Sequence, residues 1–101
     1  MPTLTIKPKH NARMRYSVPR TRTIAFEIEA DIPVKSYIVR TKGLELFDRG
    51  NNDFKYYGGF PAARKKQSQE LILPYDEGHF WLVIINPSSS EAATVRYEVE
   101  Y

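Results

Sequence analysis

A strict alternation of apolar and polar residues constrains the fold of this chain more than any other feature of its sequence. Residues 24–30 place isoleucine, phenylalanine, isoleucine and alanine at every second position, and residues 93–101 repeat the pattern with alanine, valine and tyrosine. A two-residue period gives an extended chain one dry face and one wet face. A helix built from the last segment would scatter its apolar residues around the helix axis. Both segments are therefore predicted to be β-strands.

A second signal is the run of six apolar residues at 80–85, which is typical of a central strand covered on both faces. Glycine precedes this run and an Asn-Pro pair follows it. Shorter segments that also suggest extended structure are residues 4–7, 13–18, 34–41, 44–47, 54–57 and 69–73. Asp31-Ile32-Pro33 and Lys42-Gly43 are among the turns expected between them. Residues 62–69 alone favour a helix, and they are too short for more than one turn.

Seven to nine strands with little or no helix predict an all-β protein. A length of 101 residues suits one domain with a single core. We expect a single antiparallel β-sandwich rather than a closed barrel, because one strand is dry on both faces while its neighbours alternate. Residues 1–22, interrupted by three prolines, are expected to form a basic N-terminal arm or an edge strand, and residues 23–101 the sandwich.

The charge of the chain is distributed unevenly. Residues 1–66 hold 14 basic and 6 acidic side chains, whereas residues 67–101 hold Arg96 against six acidic side chains. This polarity would steer an anionic partner toward the basic end, or let two copies associate head to tail. A basic arm that is simply solvated would give the same pattern.

Several classes of protein are excluded or disfavoured by composition. The chain has no cysteine, which excludes disulfide scaffolds, cysteine–zinc sites and thiol nucleophiles. No apolar run approaches the roughly 20 residues of a membrane helix, and no apolar signal segment is visible, so we expect a cytoplasmic location without membrane contact. Asp48, Asn51, Asn52 and Asp53 lie close together, but turn formation explains them, and no metal or cofactor is expected.

Catalytic motifs are sparse. The sequence has no nucleophile elbow, no Walker loop and no dinucleotide fingerprint. His10 lies in the basic arm, and Glu27 and Glu29 share the wet face of one strand. We therefore expect a protein that is not an enzyme. The enzymatic alternative is a small hydrolase in which His79, at the start of the apolar strand, lies beside a carboxylate.

The most suggestive stretch for binding is Phe54-Lys55-Tyr56-Tyr57-Gly58-Gly59-Phe60, followed by Arg64-Lys65-Lys66. Aromatic rings interleaved with cations are typical of surfaces that bind nucleic acids or sugars. The double glycine permits a positive φ or a close backbone approach. The candidate binding residues are Tyr56, Tyr57, Gly58, Gly59, Arg64, Lys65, Lys66 and His79. A strand that ends in a tight turn, followed by a solvated basic loop, would give the same pattern.

Two short motifs carry a resemblance to a known family. Tyr56-Tyr57-Gly58-Gly59 and Gly78-His79-Phe80-Trp81 resemble the hallmarks of an uncharacterised bacterial all-β domain family of unknown function, sometimes fused to Toll/interleukin-receptor (TIR) domains. The likeness covers about residues 50–101, and the first half of the chain departs from it. It implies an accessory or sensing module beside an effector. The last third is also similar to secretory-pathway and prepeptidase-associated β-sandwiches, whose usual setting is extracytoplasmic.

We therefore expect a recognition module that binds a protein or a small anionic partner through residues 56–66, as a monomer or a homodimer. The alternative is salt-dependent nucleic-acid binding through the basic arm and the same aromatic and basic stretch. The acidic last third argues against a broad electropositive surface, which places this alternative second.

Overall fold

The computed structural model describes residues 2–17, 22–50, 54–73 and 79–100. These residues form six strands and one short helix. The elements are β1 (Thr3–Ile6), β2 (Asn11–Ser17), β3 (Arg22–Arg40), α1 (Thr41–Asp48), β4 (Gly58–Leu73), β5 (His79–Ile85) and β6 (Ala93–Glu100). All the strand pairings are antiparallel. The predicted all-β class is confirmed.

The 19-residue strand β3 organises the whole sheet. Along one edge it pairs with β4, and along the other edge its residues 25–30 pair with β6 and its residues 35–40 with β5. The remaining strands extend the sheet outward, β1 beside β6 and β2 beside β5. The sheet therefore has two wings that share β3 and β4. The first wing contains β1, β6 and the first half of β3; the second contains β2, β5 and its second half.

The change of partner along β3 occurs at an irregular stretch. The register between β3 and β4 shifts between Glu29 and Val34, and again between Val34 and Ser36. Pro33 lies inside this stretch, where its missing N–H costs no regular ladder bond. The turn predicted at Asp31-Ile32-Pro33 is therefore a bend within one strand. The bend curls the sheet into a half-barrel.

The main core lies where inward-facing side chains of the two wings meet. Its buried members are Ile6, Ile24, Phe26, Ile28, Val34, Ile38, Leu73, Phe80, Leu82, Ile84, Ala93 and Val95. The alternating apolar residues of 24–30 and 93–99 supply the core from β3 and β6, as their period predicts. Residues 2–17 are part of this structure, since Met14 and Tyr16 of β2 pack against the same core.

A second, smaller core covers the outer face of the second wing. Val39, Leu44 and Val83 are buried there, between the sheet and α1. The partly buried side chains around them are Tyr37, Phe47, Phe54, Trp81 and Ile85. β5 is thus covered on both faces, which confirms the prediction made from the apolar run at 80–85.

Helix α1 corrects the prediction of a strand at residues 44–47. Leu44 and Phe47 are three positions apart and both pack against the outer face of the second wing, which suits a helix. A window of four residues is too short to distinguish this spacing from alternation. The predicted Lys42-Gly43 turn is the first turn of the same helix, and the strand predicted at 54–57 is irregular in the structure.

Strand β4 corrects the prediction of a helical turn in a basic loop. Residues 62–69 lie within β4, which pairs with β3 along one edge. Side chains 61–66 are exposed, so a polar sequence is compatible with this edge strand. The predicted sandwich of seven to nine strands is not confirmed. Two expected strands merge into β3, one is a helix and one is irregular, which leaves six strands in the described residues.

Candidate functional site

The two adjacent tyrosines of the predicted site lie on opposite sides of the chain. Tyr57 packs against the main core, and its N–H donates to the carbonyl of Ile38 at 2.8 Å. Tyr56 is 45% exposed, and its ring centroid lies 5.2 Å from that of Tyr37 and 6.2 Å from that of Phe54. Only Tyr57 lies beside the cationic residues described below.

The double glycine is explained by the close approach of β4 to β3. Gly59 has φ +115°, and a Cβ on it would lie 2.3 Å from the carbonyl oxygen of Ser36. A Cβ on Gly58 would lie 2.8 Å from Oε1 of Gln69, which accepts a 2.8 Å hydrogen bond from the Gly59 N–H. A side chain at Gly59 would meet backbone, so this position requires glycine for packing, whereas a Cβ at Gly58 would meet only side chains and would displace the Gln69 amide.

The predicted basic residues of β4 are divided between two surroundings. The guanidinium of Arg64 lies 5.2 Å from the ring centroid of Phe60. Lys65 and Lys66 line a separate cavity of about 360 Å³ on the first wing. Its other lining residues are Thr3, Glu29, Ala30, Asp31, Thr94 and Arg96. The two carboxylates offset much of the positive charge of this cavity.

His79 lies at the start of β5, paired with Ser17 and on the same face as Trp81. Its Nδ1 is buried and has no hydrogen-bond partner. Among the described residues, no group of three or more histidine, aspartate or glutamate side chains is placed to hold a metal ion. Gly78, Pro19 and residues 51–53, which entered the sequence predictions, lie outside the described residues.

Cationic side chains converge instead at a cavity of about 280 Å³ between the start of α1 and residues 55–57. It is lined by Arg40, Lys42, Gly43, Leu46, Lys55 and Tyr57. We call it the cationic cavity. Among the described residues that line it, three are cations and none is a carboxylate, which distinguishes it from the cavity at Lys65 and Lys66.

Tyr57 organises the charges of the cationic cavity. The Arg40 guanidinium carbon and the Lys55 ammonium nitrogen each lie 5.2 Å from the centroid of its ring. Cation–π attraction stabilises both contacts. Arg40 is only 8% exposed, so its guanidinium is held at the end of β3 and is not a mobile surface group. Two positive charges are thereby kept near one aromatic ring.

The start of α1 adds positive potential to the same cavity. Arg40 is the N-cap residue and makes no side-chain capping bond, and the first turn contains no acidic residue. The N-terminus of a helix carries partial positive charge and normally favours acidic neighbours. Here it has Lys42 in the first turn instead. This arrangement is unfavourable by itself and would be relieved by an anion.

Helix α1 is attached to the second wing at both ends. Nε1 of Trp81 donates to Oγ1 of Thr41 at 3.2 Å, and Arg13 makes two 2.8 Å hydrogen bonds with the carboxylate of Asp48. The Arg13 hydrogen bond lowers the pKa of Asp48. A Cβ on Gly43 would lie 3.1 Å from the carbonyl oxygen of Lys55, so the two walls of the cationic cavity are in close contact.

Sequence reasoning misses Arg40, Lys42 and Lys55 as site residues. Lys55 lies within the aromatic and basic stretch, but nothing in that pattern distinguishes it from the other cations. Arg40 is the last residue of β3, and Lys42 lies in the first turn of α1. Their place in the site depends on α1, part of which the sequence predicts as a strand. Recognition of the helix start would have placed two cations beside uncapped N–H groups.

The chain was also compared with known proteins. No protein-family model and no curated protein matches it. In the part of the chain that the structure describes, no helix is long and apolar enough to cross a membrane. The function is therefore inferred from the geometry of the cationic cavity.

Proposed function

We propose that this chain is a non-enzymatic recognition module that binds an anionic partner, a protein or a small molecule, at the cationic cavity. The observation that carries the proposal is the convergence of Arg40, Lys42 and Lys55 on one cavity, in which none of the described lining residues is a carboxylate. Lys42 and Lys55 place like charges at one cavity, which attracts a ligand of opposite charge.

The proposed contact surface shares only Tyr57 with the eight candidate residues that the sequence predicts. Tyr57 remains in the site, and its neighbour Lys55 joins it. Lys65 and Lys66 belong to the mixed-charge cavity of the first wing and are left out. The further proposal that the module works beside a bacterial effector rests on the resemblance of residues 50–101 alone.

Nucleic-acid binding is the second candidate, favoured by the exposed ring of Tyr56. Single-stranded nucleic acid binds along grooves in which cations follow the backbone and rings stack with bases. Several cations of this chain already face carboxylates. Arg13 is bonded to Asp48, and Arg96 lies 3.9 Å from Glu29. A continuous basic track is therefore less well supported than a local anion site.

Trp81 offers a direct test, because the only tryptophan of the chain donates its indole N–H to the first residue of α1. Its fluorescence should change when an anion binds beside Lys42. Titration with sulfate, inorganic phosphate and citrate at low ionic strength should give saturable changes in the fluorescence of Trp81. Lys55→Gln should weaken binding about tenfold or more. Lys65→Gln, the same change of charge on β4, should leave binding unchanged.

Two results would contradict the proposal. The first is no saturable response to any of the three anions by fluorescence or calorimetry, and the second is equal weakening by Lys55→Gln and Lys65→Gln. Short mixed-sequence oligonucleotides test the second candidate in the same assay. Affinity that falls steeply between about 50 and 200 mM salt and depends equally on both lysines would favour nucleic-acid binding.

A further inference from the structure

We infer that the outer edge of β4 pairs with β4 of a second copy of this chain, in antiparallel direction and centred on Ser68. This surface belongs to the first wing and is separate from the cationic cavity, so the inference goes beyond the proposed function. The edge position of the strand, its regular register, the order of its charges and an exposed isoleucine all support it.

Strand β4 offers a long edge for such a pairing. Within the described residues it pairs with β3 alone, so no other described strand lies along its second edge. From Thr23 to Glu29 the two strands keep one register, which makes residues 66–72 a regular ladder. The backbone N–H and C=O groups along such an edge can bind another strand. The structure thus provides the backbone half of an interface.

The sequence of this edge is complementary to itself. When two copies of Lys66-Gln67-Ser68-Gln69-Glu70 run in opposite directions, lysine aligns with glutamate, glutamine with glutamine and serine with serine. Ser68 then lies on the twofold axis, and Lys66 lies directly opposite Glu70 of the second copy. Opposite charges at directly opposed positions stabilise a pair of strands. A twofold dimer makes this contact twice.

The charges also select this register against others. A shift of one residue would place the buried Gln67 opposite an exposed side chain, Ser68 or Glu70. A pair centred on residue 66 would oppose two lysines, and a pair centred on residue 70 would oppose two glutamates. Lysine on an edge strand normally discourages pairing. Here it discourages every partner that does not bring a carboxylate to the same position.

The neighbouring strands extend the match of charges. On the outer face of the first wing, the rows that run across β4, β3 and β6 are Lys66–Glu29–Arg96 and Glu70–Ala25–Glu100. The first row has two cations and one carboxylate, and the second has two carboxylates. Pairing centred on Ser68 joins the first row of one copy to the second row of the other. The acidic row thereby gains a cation directly beside it, which offsets its repulsion.

Ile72 supplies an apolar contact at the same edge. Its side chain is 68% exposed, although the neighbouring Leu71 and Leu73 pack into the main core. It lies two positions beyond Glu70 on the outward face. In the dimer it lies opposite the exposed residues that precede Lys66 of the second copy, whose aliphatic stems can cover it. The pairing therefore removes apolar surface from water.

Sedimentation equilibrium of the full chain at low salt, from about 5 µM to about 1 mM, tests the association. A single added strand pairing buries a small interface, so we expect a dimer whose dissociation constant lies between about 1 µM and about 1 mM. The dimer should weaken at high salt, because the charge pairs are at the surface. A chain that remains monomeric at about 1 mM would overturn the inference.

Charge reversal identifies the residues that make the contact. Lys66→Glu and Glu70→Lys should each weaken the dimer at least about tenfold, because each opposes like charges twice. An equimolar mixture of the two variants should form mixed dimers, and the double variant should dimerise as the unmodified protein does. Lys7→Glu, an exposed change of the same charge beside β1, should leave the dimer unchanged. Equal weakening by Lys7→Glu, or no recovery in the mixture and the double variant, would contradict this pairing.

Cross-linking tests the position of the axis. Ser68→Cys introduces the only thiol of the chain, and in the dimer two such thiols lie opposite each other within reach of a disulfide. Oxidised glutathione should link this variant much faster than Thr5→Cys, an exposed position on the edge strand β1. Equal rates for the two variants would contradict pairing through β4. None of these substitutions lies in the cationic cavity, so anion binding there is a separate result.

Discussion

The outer faces of the two wings have similar backbone structure but different coverage. On the second wing, α1 and Phe54 pack over the sheet and bury Val39 and Val83. On the first wing, the outward side chains of β3 and β6 are exposed, including Glu27 and Glu98. The cationic cavity lies at the margin of the covered face. The covering helix thus supplies backbone donors at its start, which the exposed charges of the first wing do not have beside them.

The outer face of the first wing, which we call the bare face, shows what charge does without a covering helix. Glu27 and Glu98 are direct partners across β3 and β6, and Glu100 pairs with Ala25 in the next row. Directly opposite residues have Cβ atoms about 5 Å apart, so these carboxylates repel one another. Water screens them on an open surface. The acidic last third of the chain therefore contributes a solvated face.

The largest expected effect concerns the contact of β3 with β4, on which both wings depend. Gly59→Ala should reduce the free energy of unfolding by at least about 3 kcal/mol, because its Cβ would meet the Ser36 backbone at a positive φ. Gly50→Ala is the matched control, since Gly50 also has a positive φ but a Cβ added there would meet no atom of the described residues within 4 Å. It should cost about 1–2 kcal/mol. Equal losses in urea unfolding would contradict the close approach.

The next effect tests whether the outer face of the second wing is a true core. Trp81→Ala should cost about 2–4 kcal/mol, because the ring packs between β5 and α1. Trp81→Phe keeps most of the ring and loses the hydrogen bond to Thr41, so it should cost about 1 kcal/mol. A loss below about 1 kcal/mol for Trp81→Ala in chemical unfolding would mean that α1 does not cover this face.

A smaller effect concerns the attachment of α1 by Arg13 and Asp48. The folded protein holds the pKa of Asp48 below its ordinary value, chiefly through the hydrogen bond from Arg13. The pair therefore stabilises the fold at pH values above the unfolded pKa of about 4, and this contribution is lost as the pH falls through the lowered pKa. The difference in unfolding free energy between the unmodified protein and Asp48→Asn should shrink on acidification. A difference that grows in acid would contradict this role of the pair.

The smallest effect is expected on the bare face. Glu98→Gln should raise the free energy of unfolding by up to about 0.5 kcal/mol at low salt, because it removes repulsion with Glu27. The gain should disappear at high salt. Glu91→Gln, an exposed change outside the strand pairing, should have no comparable effect. Destabilisation by Glu98→Gln would mean that the acidic face makes contacts beyond solvent.

The sequence predicts the faces of the sheet better than its connections. Alternation at 24–30 and the apolar run at 80–85 report burial of side chains directly, and both predictions are confirmed. The continuity of β3 depends on a bulge near Pro33, where local turn chemistry suggests an interruption. α1 is short, and its three-residue spacing is shared by only Leu44 and Phe47. Local patterns contain too little information to decide either feature.

The cationic cavity could not be predicted for a related reason. Arg40 and Lys55 are 15 positions apart, and they meet only because α1 folds back against the second wing. The sequence singles out Tyr57 through its aromatic and basic surroundings, and the structure places both cations 5.2 Å from the centroid of its ring. In the sequence, Lys65 and Lys66 cannot be distinguished from Lys55. Their difference is visible only in the fold, because β3 supplies the acidic residues that lie beside Lys65 and Lys66.

The most direct test of anion recognition at the covered wing is an amide NMR titration with inorganic phosphate. We expect the largest chemical-shift changes at Thr41, Lys42 and Gly43, with further changes at Lys55 and Tyr57. Saturating changes at Lys65 and Lys66, with the start of α1 unaffected, would contradict anion recognition at the cationic cavity.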